Sequence, residues 1–181
     1  MNLEPRKPGE DEKSAARSLG LLFAGVTLPL YLLDQATKWA VLTHLEVDQA
    51  IVTVIPGFFS LVHWRNTGAA FSMLSDSNGF FIGLSTVALV VLAVLGWLGK
   101  FRDPLSRVGW AMLLAGILGN LTDRILHGSV VDFLLFNLHV PLAIFPNPWP
   151  AFNVADSCIF CAAALFLWQA FREPREDKAE K

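Results

Sequence analysis

Two aspartates in apolar surroundings, Asp132 in "GSVVDF" and Asp156 in "FNVADSCIFCAAALFLWQAF", are the residues whose type and setting best suit chemistry. A carboxylate within a membrane helix costs about 3 kcal/mol at the helix centre and less toward the interface. Neither has a lysine or arginine within a helical turn to offset that cost. A carboxyl group so placed has a raised pKa, and two that lie close share a proton. One member of such a pair can take a proton from water while the other protonates a leaving group. The same residues would also serve as helix caps at a membrane interface, Asp132 near the end of one apolar block and Asp156 at the start of the next. Spacing alone leaves both readings open.

Other polar groups sit inside apolar blocks. Asp34 and Lys38 of "DQATK" are four residues apart, roughly 40° around a helix, and can neutralise each other. Asn120, Asp123 and Arg124 of "GNLTDR" fall within roughly 100° of one helix face, where Arg124 can grip a carboxylate bidentately. That cluster reads as scaffold or substrate-positioning. Asn153 lies roughly 60° from Asp156, while Cys158 and Cys161 face away, as small buried apolar residues would. His44, His63, His127 and His139 are isolated and read as interfacial polar residues. No zinc pattern, nucleophile turn or glycine-rich phosphate loop occurs, so neither a metal nor another cofactor is expected.

The elements that must position these groups are membrane spans. The chain has 181 residues, 54% of them hydrophobic and 17% charged, with the apolar ones in long blocks. A net charge of -2 gives no nucleic-acid footprint. A span needs roughly 20 mainly apolar residues, and four stretches supply them, at about 19–42, 79–99, 106–126 and 151–171. The first carries Asp34 and Lys38 and no cleavage site, so it is not a cleaved signal peptide. Eleven of the fourteen basic residues lie in the tails and the second connection. Both termini, 1–18 and 172–181, are therefore expected in the cytoplasm, and the other two connections outside. Residues 49–64 read as two strands around Pro56-Gly57, within an outer cradle spanning about 45–78. Residues 137–150, rich in proline and apolar side chains, suit the membrane interface. A transporter would show internal repeats and midplane polar groups, which are not seen; a non-enzymatic scaffold would have no need of Asp132 or Asp156.

Taken in order, "DQATK", "NTGAAF", "GNLTDR", "VVDF" and "FNVADS" closely resemble the blocks of lipoprotein signal peptidase, the type II signal peptidase of bacteria. The resemblance covers about residues 20–170. One departure is "AGILGN", where Ala115 stands at a position at which the family more often has glycine. The fold implied is an all-α integral membrane protein, four transmembrane helices with a small extracytoplasmic β-sheet cradle and an external loop. The activity implied is that of an aspartyl endopeptidase of the inner membrane. It would act as a monomer among membrane lipids on prolipoproteins, cleaving before a diacylglyceryl-modified cysteine. By motif, Asp132 and Asp156 would be the catalytic pair. Asn66, Gly68, Asn120, Arg124 and Asn153 would line or organise the site, and Asp34 and Lys38 match the family's first block.

Overall fold

The computed structural model describes residues 18–48, 51–68, 77–139 and 147–172. The two charged tails, residues 69–76 of the expected cradle and residues 140–146 of the expected interfacial loop lie outside them. Among the described residues, four helices are long and apolar enough to cross a membrane: α1 (Ser18–His44), α2 (Asn78–Trp97), α3 (Pro104–His127) and α4 (Val154–Arg172). The protein is thus mainly helical, as the apolar blocks require.

The central helix is α3, with 50% of its most apolar window buried against 11–17% in the others. It starts cleanly because the Asp103 side chain accepts the Ser106 N–H at 2.9 Å and Pro104 fills the first position, where no N–H is needed. It stops at Gly128, whose φ of 72° is the left-handed conformation that closes a helix. Helix α1 contains a wider π-helical turn, Phe23–Thr27, just ahead of Pro29, which has no N–H to return to the preceding turn. There the Thr27 hydroxyl donates to the Ala111 carbonyl of α3 at 2.9 Å.

Lipid tails are as apolar as leucine, so helix association in a membrane relies on close packing and hydrogen bonds. Small residues on α3 allow it. Ala115 is buried. A Cβ on Gly116 would stand 2.5 Å from the Ala155 carbonyl oxygen, and one on Gly119 2.5 Å from the Asp34 carboxylate. On the other side Trp110 lies over Gly96 and donates its indole N–H to the Leu92 carbonyl at 2.9 Å.

At the end of the bundle where α1 finishes and α2 starts sits an antiparallel sheet, ordered β1 (Ile51–Ile55), β2 (Phe59–Asn66) and β3 (Val130–Phe136). The hairpin turns at Pro56-Gly57, with Gly57 at φ 74° and Phe58 N–H on the Ile55 carbonyl at 3.0 Å; proline then glycine is what such a turn needs. The third strand departs from the sequence expectation. Its run "VVDFLLF" is β-branched and aromatic, but it follows a span directly, where a helix end is expected. One face of β3 packs Val131 and Phe133 against Val41 of α1, which ties the sheet to the bundle.

Gly116→Ala should lower stability by about 1–3 kcal/mol despite alanine's better helix propensity, because a backbone carbonyl cannot move aside cheaply. Gly83→Ala, with nothing within 4 Å of its added Cβ, should cost nothing. Thermal unfolding in detergent, followed by tryptophan fluorescence, compares the two.

Candidate active site

Asp132 lies in the middle of β3, opposite Trp64 of β2, and not at a helix end. The far edge of β3 is met by Phe152, which pairs with Leu134 through two backbone bonds of 2.8 and 3.1 Å. That pairing delivers the next residue, Asn153, to the Asp132 carboxylate. Asn153 is fully buried and its amide nitrogen donates to Asp132 Oδ1 at 2.8 Å. It also stands just before α4. There its side-chain oxygen accepts the Asp156 N–H at 2.8 Å, and its own N–H reaches back to Asp156 Oδ2 at 3.2 Å. This is a reciprocal capping box. Asp156 therefore does take part in capping α4, as the partner of Asn153 at the cap itself, and Asn153 bonds both aspartates at once. Among the described residues, no lysine or arginine forms an ion pair with either carboxylate.

Beneath the aspartates lies a buried charge cluster. Lys38 Nζ stands 2.9 Å from Asp34 Oδ2, 2.9 Å from Asp123 Oδ2 and 3.0 Å from Asn120 Oδ1. An ammonium has three protons to donate, and all three are used. Because Lys38 only donates, the Asn120 oxygen must face it, which aims the Asn120 nitrogen at Asp156 Oδ1, 2.7 Å away. The second oxygen of Asp34 accepts the Ala155 N–H at the start of α4, at 2.8 Å. Asp123 Oδ2 also accepts the Val131 N–H of β3, at 3.1 Å. The expected Asp34–Lys38 pair is thus one side of a larger network that joins three helices and the sheet.

Asn66, at the end of β2, donates to Asp132 Oδ2 at 3.0 Å. Its oxygen accepts the Gly68 N–H at 3.0 Å, a local turn that settles which end of the amide faces Asp132. Gly68 is held in turn by Arg124, whose guanidinium donates to the Gly68 carbonyl at 2.7 Å and to Asn78 Oδ1 at 3.4 Å, and lies 4.6 Å over the Phe81 ring. Arg124, which is able to grip a carboxylate bidentately, here holds a carbonyl and an aromatic face. Asn78, Phe81 and Gln35 join the site without having stood out in the sequence. Gln35 donates to Asp34 at 3.1 Å and Asp123 at 3.2 Å, and its place inside "DQATK" is the available signal. All ten sequence-selected site residues converge at this end of the bundle.

The family model described as signal peptidase II matches residues 26–172. The chain belongs to the signal peptidase II family. A protein named lipoprotein signal peptidase from Yersinia enterocolitica is 36% identical, with 90% of this chain and 94% of that one aligned. Its namesake from Symbiobacterium thermophilum is 43% identical over 74% of this chain and 84% of its own. Among solved structures, a bacterial membrane enzyme determined in meso at 2.3 Å resolution superposes with a TM-score of 0.75 at 27% identity, covering 91% of this chain and 93% of that one. The protein is thus an aspartic-type peptidase of lipoprotein processing.

In this member of the signal peptidase II family, burial and then the neighbouring Asp156 carboxylate push the Asp132 carboxyl up to about 7, against the opposing hydrogen bonds from Asn66 and Asn153. Among the described residues no three His, Cys, Asp or Glu side chains gather as a metal site. Cys158 is buried, Cys161 is exposed, and both are free. His63 departs from the reading of the histidines as interfacial, being only 2% exposed.

Lys38→Met should destabilise the peptidase by about 3–5 kcal/mol, since Asp34 and Asp123 would be left buried without their cation. The midpoint of thermal unfolding in detergent reports that loss.

Proposed function

We propose that this peptidase removes the signal peptide from bacterial prolipoproteins, cleaving before a diacylglyceryl-modified cysteine, with Asp132 and Asp156 together activating the attacking water. The observation that carries the reading is Asn153, which bonds both carboxylates while, among the described residues, no basic side chain pairs with either. A carboxylate locked to a cation would stay ionised; two held by neutral amides can share a proton.

With one proton on the pair, the ionised carboxylate takes a proton from water and the hydroxyl oxygen bonds to the scissile carbonyl carbon. The protonated carboxyl gives its proton to the carbonyl oxygen, forming a neutral gem-diol. In collapse a diol proton returns to that carboxylate, the C–N bond breaks, and the departing nitrogen takes the proton drawn from water. The pair ends with one proton, as it began, and neither a covalent intermediate nor a metal takes part.

The sheet and the pair lie at the end of the bundle opposite the basic connection Lys100–Arg107. With eleven of fourteen basic residues in that connection and the tails, the site faces the extracytoplasmic side of the cytoplasmic membrane, and residues 19–171 form one membrane-embedded domain between cytoplasmic tails. The substrate's two acyl chains anchor it in that leaflet, each buried methylene contributing about 0.8 kcal/mol. The enzyme acts as a monomer.

The test follows one precursor, with and without its diacylglyceryl group, by the mass shift of the product in detergent. Wild type should cleave the lipidated form and leave the unlipidated one nearly intact. Asp132→Asn and Asp156→Asn should each lose at least about a thousandfold in rate while remaining folded. Cleavage by either variant at near wild-type rate would refute the aspartate pair, and equal cleavage of both precursors the lipid requirement. A carboxyl raised to about 7 keeps its proton below that pH and releases it above, so wild-type activity should fall as pH rises through about 7.

A further inference from the structure

Strand β2 is irregular between Leu61 and Trp64. Leu61 stands opposite Leu134 and Trp64 opposite Asp132, so two residues, Val62 and His63, face the single Phe133. This is a β-bulge, which absorbs one extra residue. Its consequence is the phase of the strand. A regular ladder continued from the Leu61–Leu134 pair would set His63 against Asp132 and Arg65 against Val130. Arg65 would then share the Asp132 face, and Asn66 would point away from it. With the bulge, Trp64 and Asn66 fall on the Asp132 face, Asn66 reaches the carboxylate at 3.0 Å, and Arg65 is left exposed on the other.

The bulge is clamped by the segment that follows α1. Both of its side chains are buried, at 0% and 2% exposure. His63 Nδ1 donates to the Leu45 carbonyl at 2.9 Å, and the His63 carbonyl accepts the Asp48 N–H at 3.0 Å. Asp48 adopts a φ of 57° to make that contact. Among the described residues His63 Nε2 has no hydrogen-bond partner, and the bond to Leu45 is the one that the imidazole makes.

We propose that His63 is a positioning residue for the peptidase reaction: by pinning the bulge to Leu45, it sets the strand phase that presents Asn66, and not Arg65, to Asp132. The proposal rests on the aspartate-pair reading above. The charged groups acting on Asp132 are Asp156 on α4 and Lys38 on α1, and Arg124 on α3. None of them changes when His63 is replaced, whereas the Asn66 amide, which lowers the Asp132 pKa, does.

The test uses the full-length enzyme and a diacylglyceryl precursor, and reads the alkaline limb of kcat/KM against pH. Asn66→Ala should move that limb up by about one pH unit, because an N–H donor to the carboxylate is lost. His63→Met keeps the volume without the donor, and should move the limb in the same direction by a similar amount. His63→Gln, which can still donate to Leu45, should restore the wild-type limb. The double variant His63→Met with Asn66→Ala should shift no further than Asn66→Ala alone, since His63 acts through Asn66. Additive shifts, or an unmoved limb in a folded His63→Met enzyme, would overturn the proposal. If Asn66→Ala itself leaves the limb in place, it is the aspartate-pair reading that fails.

Discussion

One buried ammonium holds the molecule's parts in register. A charge taken from water into an apolar bundle is tolerable only when each of its protons finds an acceptor and its charge a counterpart. Lys38 meets both conditions with Asp34, Asp123 and Asn120. Every acceptor then has a second partner. Asp34 takes a backbone N–H at the start of α4, Asp123 takes one from β3, and Asn120 donates to Asp156. The cation thus fixes the two elements that carry the aspartates from a helix that contributes neither. The requirement to satisfy one lysine becomes the requirement that α1, α3, α4 and β3 meet in one arrangement.

Asparagine rather than a basic residue forms the layer around the Asp132 and Asp156 carboxylates. An amide offers both donor and acceptor, and which end faces where is settled by its neighbours. The donor-only Lys38 turns Asn120, the Gly68 N–H turns Asn66, and the Asp156 N–H turns Asn153. Each carboxylate then receives N–H bonds without a positive charge beside it. An arginine or lysine at any of these three positions would hold an aspartate ionised, which the proposed mechanism does not allow. Arg124 is kept at one remove: its guanidinium donates to the Gly68 carbonyl and, among the described residues, forms no ion pair with Asp132 or Asp156.

Close approach makes this layer possible. Gly119 lets the Asp34 carboxylate lie against α3, and Gly116 lets the Ala155 carbonyl do so. Larger residues there would part α3 from α1 and α4, separating Lys38 from Asp123 and Asn120 from Asp156. The residues that pack the bundle and those that position the aspartates are interleaved along α3, so a packing error there also displaces the carboxylates.

Much of this is legible in the order of the residues. The four spans follow from apolar blocks longer than any core strand or helix would need, and the Asp34–Lys38 pair from four-residue spacing on one helix, a distance that helix geometry alone determines. The two acidic residues stand out because an unpaired carboxylate in such blocks is expensive. What spacing does not convey is which groups meet across the fold. Asp132 belongs to a strand, since β3 becomes a strand only by pairing with β2 on one side and Phe152 on the other. Arg124 takes a carbonyl and the Phe81 ring because the Asp123 beside it is already held by Lys38 and the β3 backbone. Gln35 and Asn78 do not stand out in the sequence; tertiary packing places them against Asp34, Asp123 and Arg124. His63 reads as interfacial because a bulge, which shifts a strand's alternation by one residue, leaves no mark in the composition of that strand. Residue order settles which charges the membrane must accommodate. Their partners are chosen in three dimensions, because hydrogen bonds act over about 3 Å and only packing brings residues so far apart in the chain within that reach.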